Sequence, residues 1–241
     1  MNTLQHVSPE VFAFLQRTDT CALSNAIETF NVRMRNAGHV HGEVHCMTPE
    51  LPPVAGYAVT GRMRASAPPI SGLCYYQSAD WWQHVASIPG PKILVIEDVD
   101  RVPGIGALFG EIHARIAKAL SCVGYVTNGT VRDLTAVQAM GFQCFARDVC
   151  VSHSYAHVTE FGEPVEIGGL QISPGDLLHG DCNGIHSVPL SVVERLSPVV
   201  AEIREHEAEL ISLCRDSDFS LEKLQDALRR SSKWHSIPEF R

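Results

Sequence analysis

At 241 residues, 45% of them apolar and 19% charged, the chain can bury a sizeable core and is too apolar to be disordered. A formal net charge of −8 argues against wholesale nucleic-acid binding and against a polybasic contact with a membrane surface. Eight cysteines are spread along the chain without a CxxC pair, which argues against a structural zinc site and points to free thiols in a reducing cytoplasm.

No apolar run reaches the length of a transmembrane helix, and the first residues, MNTLQHVSPEVFAFLQ, lack the basic start and apolar core of a secretory signal. There is no internal repeat and no low-complexity linker. The expectation is one domain over residues 1–241, with a helical N-terminal segment and a C-terminal helical extension.

Residues 9–30 carry two short helical patterns. Val11, Phe14 and Leu15 form the first apolar face, and Thr18 or Asp19 can stop it. Thr20 is placed to cap the second helix, with Leu23, Ile27 and Phe30 facing inward. From Arg33 to Pro53 the sequence is irregular and polar. His39, His41 and His45 fall within it and read as loop histidines in preference to metal ligands. Gly56–Arg64 alternates and is rich in β-formers, so it reads as a strand. A short helix over Trp81, Trp82, Val85 and Ile88 follows, closed by the Pro89-Gly90-Pro91 turn.

The run Ile93–Ile96 reads as a buried strand from which Glu97, Asp98 and Asp100 emerge. Glycines 104, 106 and 110 then lead into a helix whose apolar face is Ile112, Ile116, Ala119 and Leu120. A second strand, Gly124–Thr127, ends in Asn128-Gly129 and delivers Arg132-Asp133. This is a βαβ unit with a small-anion site at the glycine loop or helix start. Leu134–Met140 is a short helix closed by Gly141, Phe142–Val151 a strand, and 152–164 a loop holding His153 and His157. Residues 163–188 are hairpin-rich, with turns at Pro174-Gly175-Asp176 and Asn183-Gly184. From Ser191 onward the pattern is helical, with a break expected at Pro198 and a further short helix over Leu221, Leu224 and Leu228.

The spacing Gly104-x-Gly106-x-x-x-Gly110 is a loose dinucleotide fingerprint. The acid expected at the end of the second strand is replaced by Asn-Gly, so nicotinamide binding is disfavoured. The amides of Gly110, Glu111, Ile112 and His113, at the start of a helix, can receive a carboxylate or phosphate. Arg132-Asp133 stands at the carboxyl end of an apolar strand, where α/β sheets place ligands. Glu111, at the start of the preceding helix, joins it across an ordinary crossover. Two carboxylates without cysteine or histidine suit Mg²⁺ or Mn²⁺, and the arginine supplies a bidentate clamp for a substrate carboxylate.

The chain resembles the 4-hydroxy-4-methyl-2-oxoglutarate aldolase family, which includes the proteins called regulator of ribonuclease activity A. The resemblance runs from about Thr20 to Glu209 and rests on GYAVTGR, on FGE at 109–111 and on Gly124 with NGTVRD at 128–133. GFQCFAR and ISPGD with the Gly184 turn support it. It implies an α/β fold, a swivelling β/β/α sandwich assembled as a homotrimer or homohexamer with sites between subunits. It also implies a Mg²⁺- or Mn²⁺-dependent lyase that releases pyruvate from a 4-hydroxy-2-oxo acid and decarboxylates oxaloacetate. In that reading Asp133 is the direct metal ligand and Glu111 reaches the metal through water. Arg132 binds the substrate carboxylate or keto oxygen, and the Ile112 and His113 amides, beside Gly110, hold the same carboxylate. Glu207 matches a glutamate contributed by a neighbouring subunit. Glu111, Asn25 and Asn128 stand where many members carry aspartate. Some members of the family are non-catalytic regulators that bind a ribonuclease or a helicase, so that alternative stays open.

Overall fold

The computed structural model describes residues 7–70 and 79–235. Two helices, α1 (Pro9–Leu15) and α2 (Thr20–Glu28), lead to the short strand β1 (His45–Cys46) and the long strand β2 (Val54–Arg64). Helix α3 (Ala79–Ser87) precedes β3 (Lys92–Asp98), β4 (Ala107–Phe109), α4 (Glu111–Ala119), β5 (Cys122–Thr127), β6 (Thr130–Val131) and α5 (Leu134–Ala139). Seven strands follow: β7 (Gln143–Ala146), β8 (Asp148–Val149), β9 (His157–Phe161), β10 (Val165–Ile167), β11 (Leu170–Ile172), β12 (Leu177–Asp181) and β13 (Gly184–Ser187). A 3₁₀ turn at Val193–Arg195 opens into α6 (Leu196–Arg215), and α7 (Leu221–His235) ends the described chain.

The main sheet has eight strands in the order β1-β7-β5-β3-β2-β12-β13, with β9 also paired to β2. β2, β3, β5 and β7 run parallel, as strands joined by crossovers must. β1, β9, β12 and β13 join antiparallel. At one edge His39 bridges His186 of β13, and at the other His45 pairs with β7. The segment from 39 to 46 therefore spans both edges, and the sheet nearly closes on itself.

Side-chain alternation divides the core. Ile93 and Val95 of β3 point inward with Val126, Phe145 and the β10–β11 hairpin residues Val165, Ile167, Leu170 and Ile172. Leu94 and Ile96 point to the other face, where α3, α4 and α5 cover Tyr125, Phe109 and Phe142. A third cluster packs α1, α2 and α6 on Ala55, Tyr57 and Leu177. An α/β sandwich with a mixed sheet flanked by helices is the expected architecture. Among the described residues no helix is long and apolar enough to cross a membrane.

Several expected details differ. α4 lies on the sheet through Ala114 and Ala117, whereas Ile112 is 67% exposed and Ile116 also faces out. Asp19, not Thr20, caps α2, its Oδ1 accepting from the Ala22 amide at 2.7 Å. The helix is unbroken at Pro198, which sits in the first turn of α6, where its missing N–H has no intrahelical partner to lose. Phe142–Val151 splits into β7 and β8, which belong to different sheets. The expected loop 152–164 contains strand β9. Part of the stretch before α3, residues 73–78, lies outside the described residues.

Asp100 ties the end of β2 to the end of β3. Its Oδ2 accepts from the amides of Ala65 at 2.7 Å and Ser66 at 2.8 Å, and its Oδ1 accepts from the Ser66 hydroxyl. Burial alone would raise this carboxyl. The donors from Ser66 and Ala65, with the charge of Arg64, outweigh burial and hold it below its ordinary value of 3.8. The stabilisation is therefore fully present above that value and is lost as pH falls below it, through the depressed value of the folded state. Asp100→Ala is expected to cost about 2–4 kcal/mol at pH 7, because two backbone donors lose a charged acceptor. Urea unfolding at pH 7 and pH 3 checks this, since the deficit must shrink in acid.

Candidate functional site

The twenty-residue interval between Glu111 and Arg132-Asp133 is closed by a second, three-stranded parallel sheet, β4-β6-β8. Phe109 of β4 pairs with Val131 of β6, and the Arg132 amide donates to the Phe109 carbonyl at 3.0 Å. The starts of α4 and α5 therefore leave adjacent strands side by side. Gly110 and Glu111 begin one helix, and Arg132 and Asp133 precede the other.

Asp133 holds an αL backbone (φ 55°, ψ 34°), a conformation that aspartate reaches more readily than most residues. Its side chain does not cap its own helix. Oδ2 accepts instead from the Glu111 amide at the start of α4, at 3.2 Å. Arg132 Nε stands 3.4 Å from the same oxygen. Gly110 makes this approach possible, since a Cβ there would lie 2.7 Å from Asp133 Oδ2 and 2.8 Å from Arg132 Cγ. Glu111 Oε1 accepts from Arg115 Nε at 2.9 Å and Nη2 at 2.6 Å, one turn along α4. The Arg132, Asp133 and Glu111 side chains are 28%, 39% and 38% exposed, so the group opens to solvent. Beside it lies a cleft of about 400 Å³ lined by Arg132, Asp133, Leu134, Val149, Cys150 and Val151.

Ile112 and His113 complete the first turn of α4. The His113 ring turns away from solvent between Trp82 and Phe109, at ring-centre distances of 5.7 and 6.4 Å. Burial, with a smaller contribution from His153, pushes its imidazole down to about 4, so it is neutral near pH 7. What this turn offers an anion is backbone N–H and helix dipole, not a histidinium charge.

The two carboxylates fit a hard divalent cation. Asp133 makes only long contacts, Glu111 has a second oxygen with no hydrogen bond among the described residues, and both stand in reach of water. Mg²⁺ commonly binds through one or two carboxylates and keeps several waters. Among the described residues no group of three or more His, Cys, Asp or Glu is arranged to hold a metal. Glu207 accordingly stands apart, on α6 in a small cavity with Asn25, Glu28, Arg35 and His206. His39, His41 and His45 do not form a metal cluster either.

The glycine loop serves a different anion from the one expected. Gly104, at φ 96°, donates its amide to Asp98 Oδ2 at 2.7 Å, and the Asp100 amide donates to Asp98 Oδ1 at 3.0 Å. The loop thus wraps an internal carboxylate, which burial raises above its ordinary range. Asn128 is structural as well. Its Oδ1 accepts from the Asp98 amide at 2.7 Å and its Nδ2 donates to the Asp98 carbonyl at 3.0 Å, which locks the end of β5 to the end of β3. The cleft residues Leu134, Val149, Cys150 and Val151 are functional candidates that sequence reasoning missed. Strands of two residues carry too little periodicity to reveal the β6–β8 pairing that places them there.

The Aldolase/RraA model of the RraA-like family matches residues 20–186. A protein of Halalkalibacterium halodurans, whose name proposes a 4-hydroxy-4-methyl-2-oxoglutarate aldolase, is 33% identical over 84 residues, 34% of this chain and 40% of that one. The matches span less than two thirds of the length of this and two further curated relatives, at 40%, 64% and 27%. Among solved structures, an uncharacterized protein from Pseudomonas syringae pv. tomato superposes with a TM-score of 0.71 at 20% identity, covering 92% of this chain and 96% of that one. A Streptomyces coelicolor protein, described as an unusual member of the RNase ES inhibitor RraA family, superposes with a TM-score of 0.63 at 19% identity, over 86% and 96%. At such identities the likeness is one of fold.

Proposed function

The chain belongs to the RraA-like family, and on that premise we propose that it is a divalent-metal-dependent lyase. The proposed reaction is aldol cleavage of a 4-hydroxy-2-oxo acid, of the 4-hydroxy-4-methyl-2-oxoglutarate kind, to pyruvate and a 2-oxo acid or aldehyde. The observation that carries this reading is the convergence of Glu111, Arg132 and Asp133 at two neighbouring helix starts beside an open cleft. A pure interaction module has no need of that arrangement.

Asp133 would hold Mg²⁺ or Mn²⁺ directly, and Glu111 would hold it through water. When bound, the cation supplies Lewis acidity at the 2-keto oxygen. Arg132 and the first-turn amides of α4 bind and orient the C1 carboxylate. Glu111 orients the water that takes the proton from the C4 hydroxyl. The C3–C4 bond then breaks, its electron pair passes into the pyruvate enolate, and C4 leaves as a carbonyl. Arg132 offsets the enolate charge until C3 is protonated. Oxaloacetate decarboxylation passes through the same enolate, so one site can support both reactions. In a trimer or hexamer, Glu207 from a neighbouring copy would add the carboxylate that one chain does not supply. The exposed Ile112 and Ile116 next to the site are consistent with such packing.

The test is a panel of 4-hydroxy-2-oxo acids and oxaloacetate with Mg²⁺ or Mn²⁺, read by a pyruvate-coupled assay. Metal-dependent pyruvate release that EDTA abolishes is the expected result. Release that survives EDTA, or none from the whole panel, would sink the lyase reading. Co-purification with a ribonuclease or a helicase in the absence of turnover would favour the regulator alternative.

A further inference from the structure

We propose that His186 and His179 form an acid-sensitive latch that fastens α2 and the segment 33–41 to strands β12 and β13. Neither residue lines the cleft at Arg132, and the latch stands whatever reaction the protein performs. The two histidines are a cross-strand pair. Alternation turns them away from Leu178 and Ile185, which point inward, and toward α1 and α2. Their rings meet edge to face at 5.5 Å, and His179 and His186 are 0% and 2% exposed.

His179 is held neutral by its partners. Its Nε2 lies 3.0 Å from the Leu15 carbonyl, which can only accept, so the bond assigns the hydrogen to Nε2. Nδ1 is left to accept from the Thr20 hydroxyl at 3.4 Å. Beside it the Thr20 amide donates to Asp181 Oδ2 at 2.8 Å, which ties the first residue of α2 to the end of β12. His186 is placed otherwise. Its Nε2 is buried with no hydrogen-bond partner among the described residues. The main chain on either side of it carries the segment 33–41. The Val40 amide donates to the Ile185 carbonyl and the Ser187 amide to the Gly38 carbonyl, each at 2.9 Å. Arg33 Nη1 donates to the Ser187 carbonyl and to its hydroxyl oxygen, each at 2.8 Å.

A proton on His186 therefore adds a cation to a closed space that already holds one. Burial pushes its imidazole well below the ordinary value of 6.5, and the charges of His179, Arg33 and His39 act in the same direction. The carboxylates of the joint act on His179 instead. Burial lowers that ring too, but the Leu15 carbonyl, Asp181 and Asp19 pull the other way. Asp19 is shared with Arg204 of α6 at 2.8 Å, and Glu28 acts on Arg33. Released into water, the imidazoles titrate near 6.5. The joint is thus at full strength above that value and weakens as pH falls below it, toward the depressed value of the closed state. Between pH 7.5 and 5.5 one such histidine multiplies the opening constant by about tenfold, and two by at most about a hundredfold. Asn25, Glu28 and Arg35 ride on the released segments and line the cavity that holds Glu207, so the acid-opened form loses that cavity.

Hydrogen exchange on the full chain at pH 7.5, 6.5 and 5.5, corrected for intrinsic rates, is the test. Protection of the Leu23, Val40 and Ser187 amides should fall by about tenfold or more from the highest pH to the lowest. The β3 amides should stay the better protected at every pH, which makes the opening local. His186→Gln and His186→Phe keep an uncharged side chain at the position, and in either the fall should shrink to about threefold or less. In the parent, the His186 ring followed by NMR should not gain its proton above pH 6. The proposal is overturned if these amides lose no protection in acid, if they exchange only together with β3, or if the folded variants keep the parent's dependence. A His186 ring that protonates above pH 6 in the folded chain overturns it as well. Should both variants fail to fold, the parent's exchange and the ring titration decide alone.

Discussion

Asp133→Asn is expected to remove metal-dependent pyruvate release, by about a thousandfold or more in kcat/KM, while the protein unfolds within about 1 kcal/mol of the parent. The two halves of this expectation have separate causes. Asparagine tolerates the αL backbone that residue 133 adopts, and its Oδ1 can still accept from the Glu111 amide. The joint between α4 and α5 therefore survives. What is lost is the formal charge that a hard cation requires, and with it the several kcal/mol of Lewis-acid assistance to the cleavage step. Each 1.36 kcal/mol is tenfold in rate, so losing about 4 kcal/mol gives the stated factor. Asp133→Ala makes the contrast. It deletes both the charge and the acceptor for α4, and it leaves an unfavourable αL residue, so a further cost of about 1–2 kcal/mol in stability should appear. Pyruvate release measured across a Mg²⁺ titration, alongside urea unfolding, checks both substitutions. An asparagine variant within tenfold of the parent at saturating Mg²⁺ would rule out Asp133 as the metal ligand.

The strand–helix–strand unit from Lys92 to Thr127 was legible because its signals are long and local. Four consecutive apolar residues at 93–96, two of them isoleucine and one valine, between a Pro-Gly-Pro turn and a run of acids, read as a strand buried on both faces, and the structure places β3 at the centre of the sheet. The direction in which α4 faces was not legible. Its isoleucines and its alanines lie on different sides, and hydrophobic periodicity favours the larger residues. The helix lies close to β5, where Ala114 and Ala117 fit and isoleucine would not, so the small residues take the core and Ile112 is left outside.

The candidate site divides along the same line. The acid and the Arg-Asp pair are visible as residue types, and an ordinary crossover was enough to bring them to one end of the sheet. The means that bring them into contact were not visible. β6 and β8 are two residues each, and β4 is three. Such strands exist because their neighbours hold them in register, not because their own sequences favour extension. The glycines misled for a physical reason as well. A positive-φ glycine that presents an amide to an anion looks the same in sequence whether the anion is a ligand or, as here, the buried Asp98.

Gly110→Ala should lower kcat/KM by about a hundredfold while hardly disturbing the fold, because this glycine is required by space and not by conformation. Its backbone lies at φ −155°, ψ −160°, extended values open to any residue, so alanine meets no torsional strain. The added Cβ would stand 2.7 Å from Asp133 Oδ2 and 2.8 Å from Arg132 Cγ, and both side chains must give way. They are also the two groups that hold the metal and the substrate in the proposed reaction, and a displacement approaching 1 Å in such groups costs about a hundredfold. Both are partly exposed and can move outward without opening a cavity, so the stability cost should stay under about 1 kcal/mol. Gly141→Ala supplies the converse control. A Cβ there meets nothing within 4 Å, but φ is 67°, so the substitution should cost about 1 kcal/mol in stability and leave turnover unchanged. Steady-state kinetics and thermal unfolding on the two variants separate the effects. If Gly110→Ala keeps full activity, the close approach of Asp133 and Arg132 to the start of α4 is incidental to the chemistry.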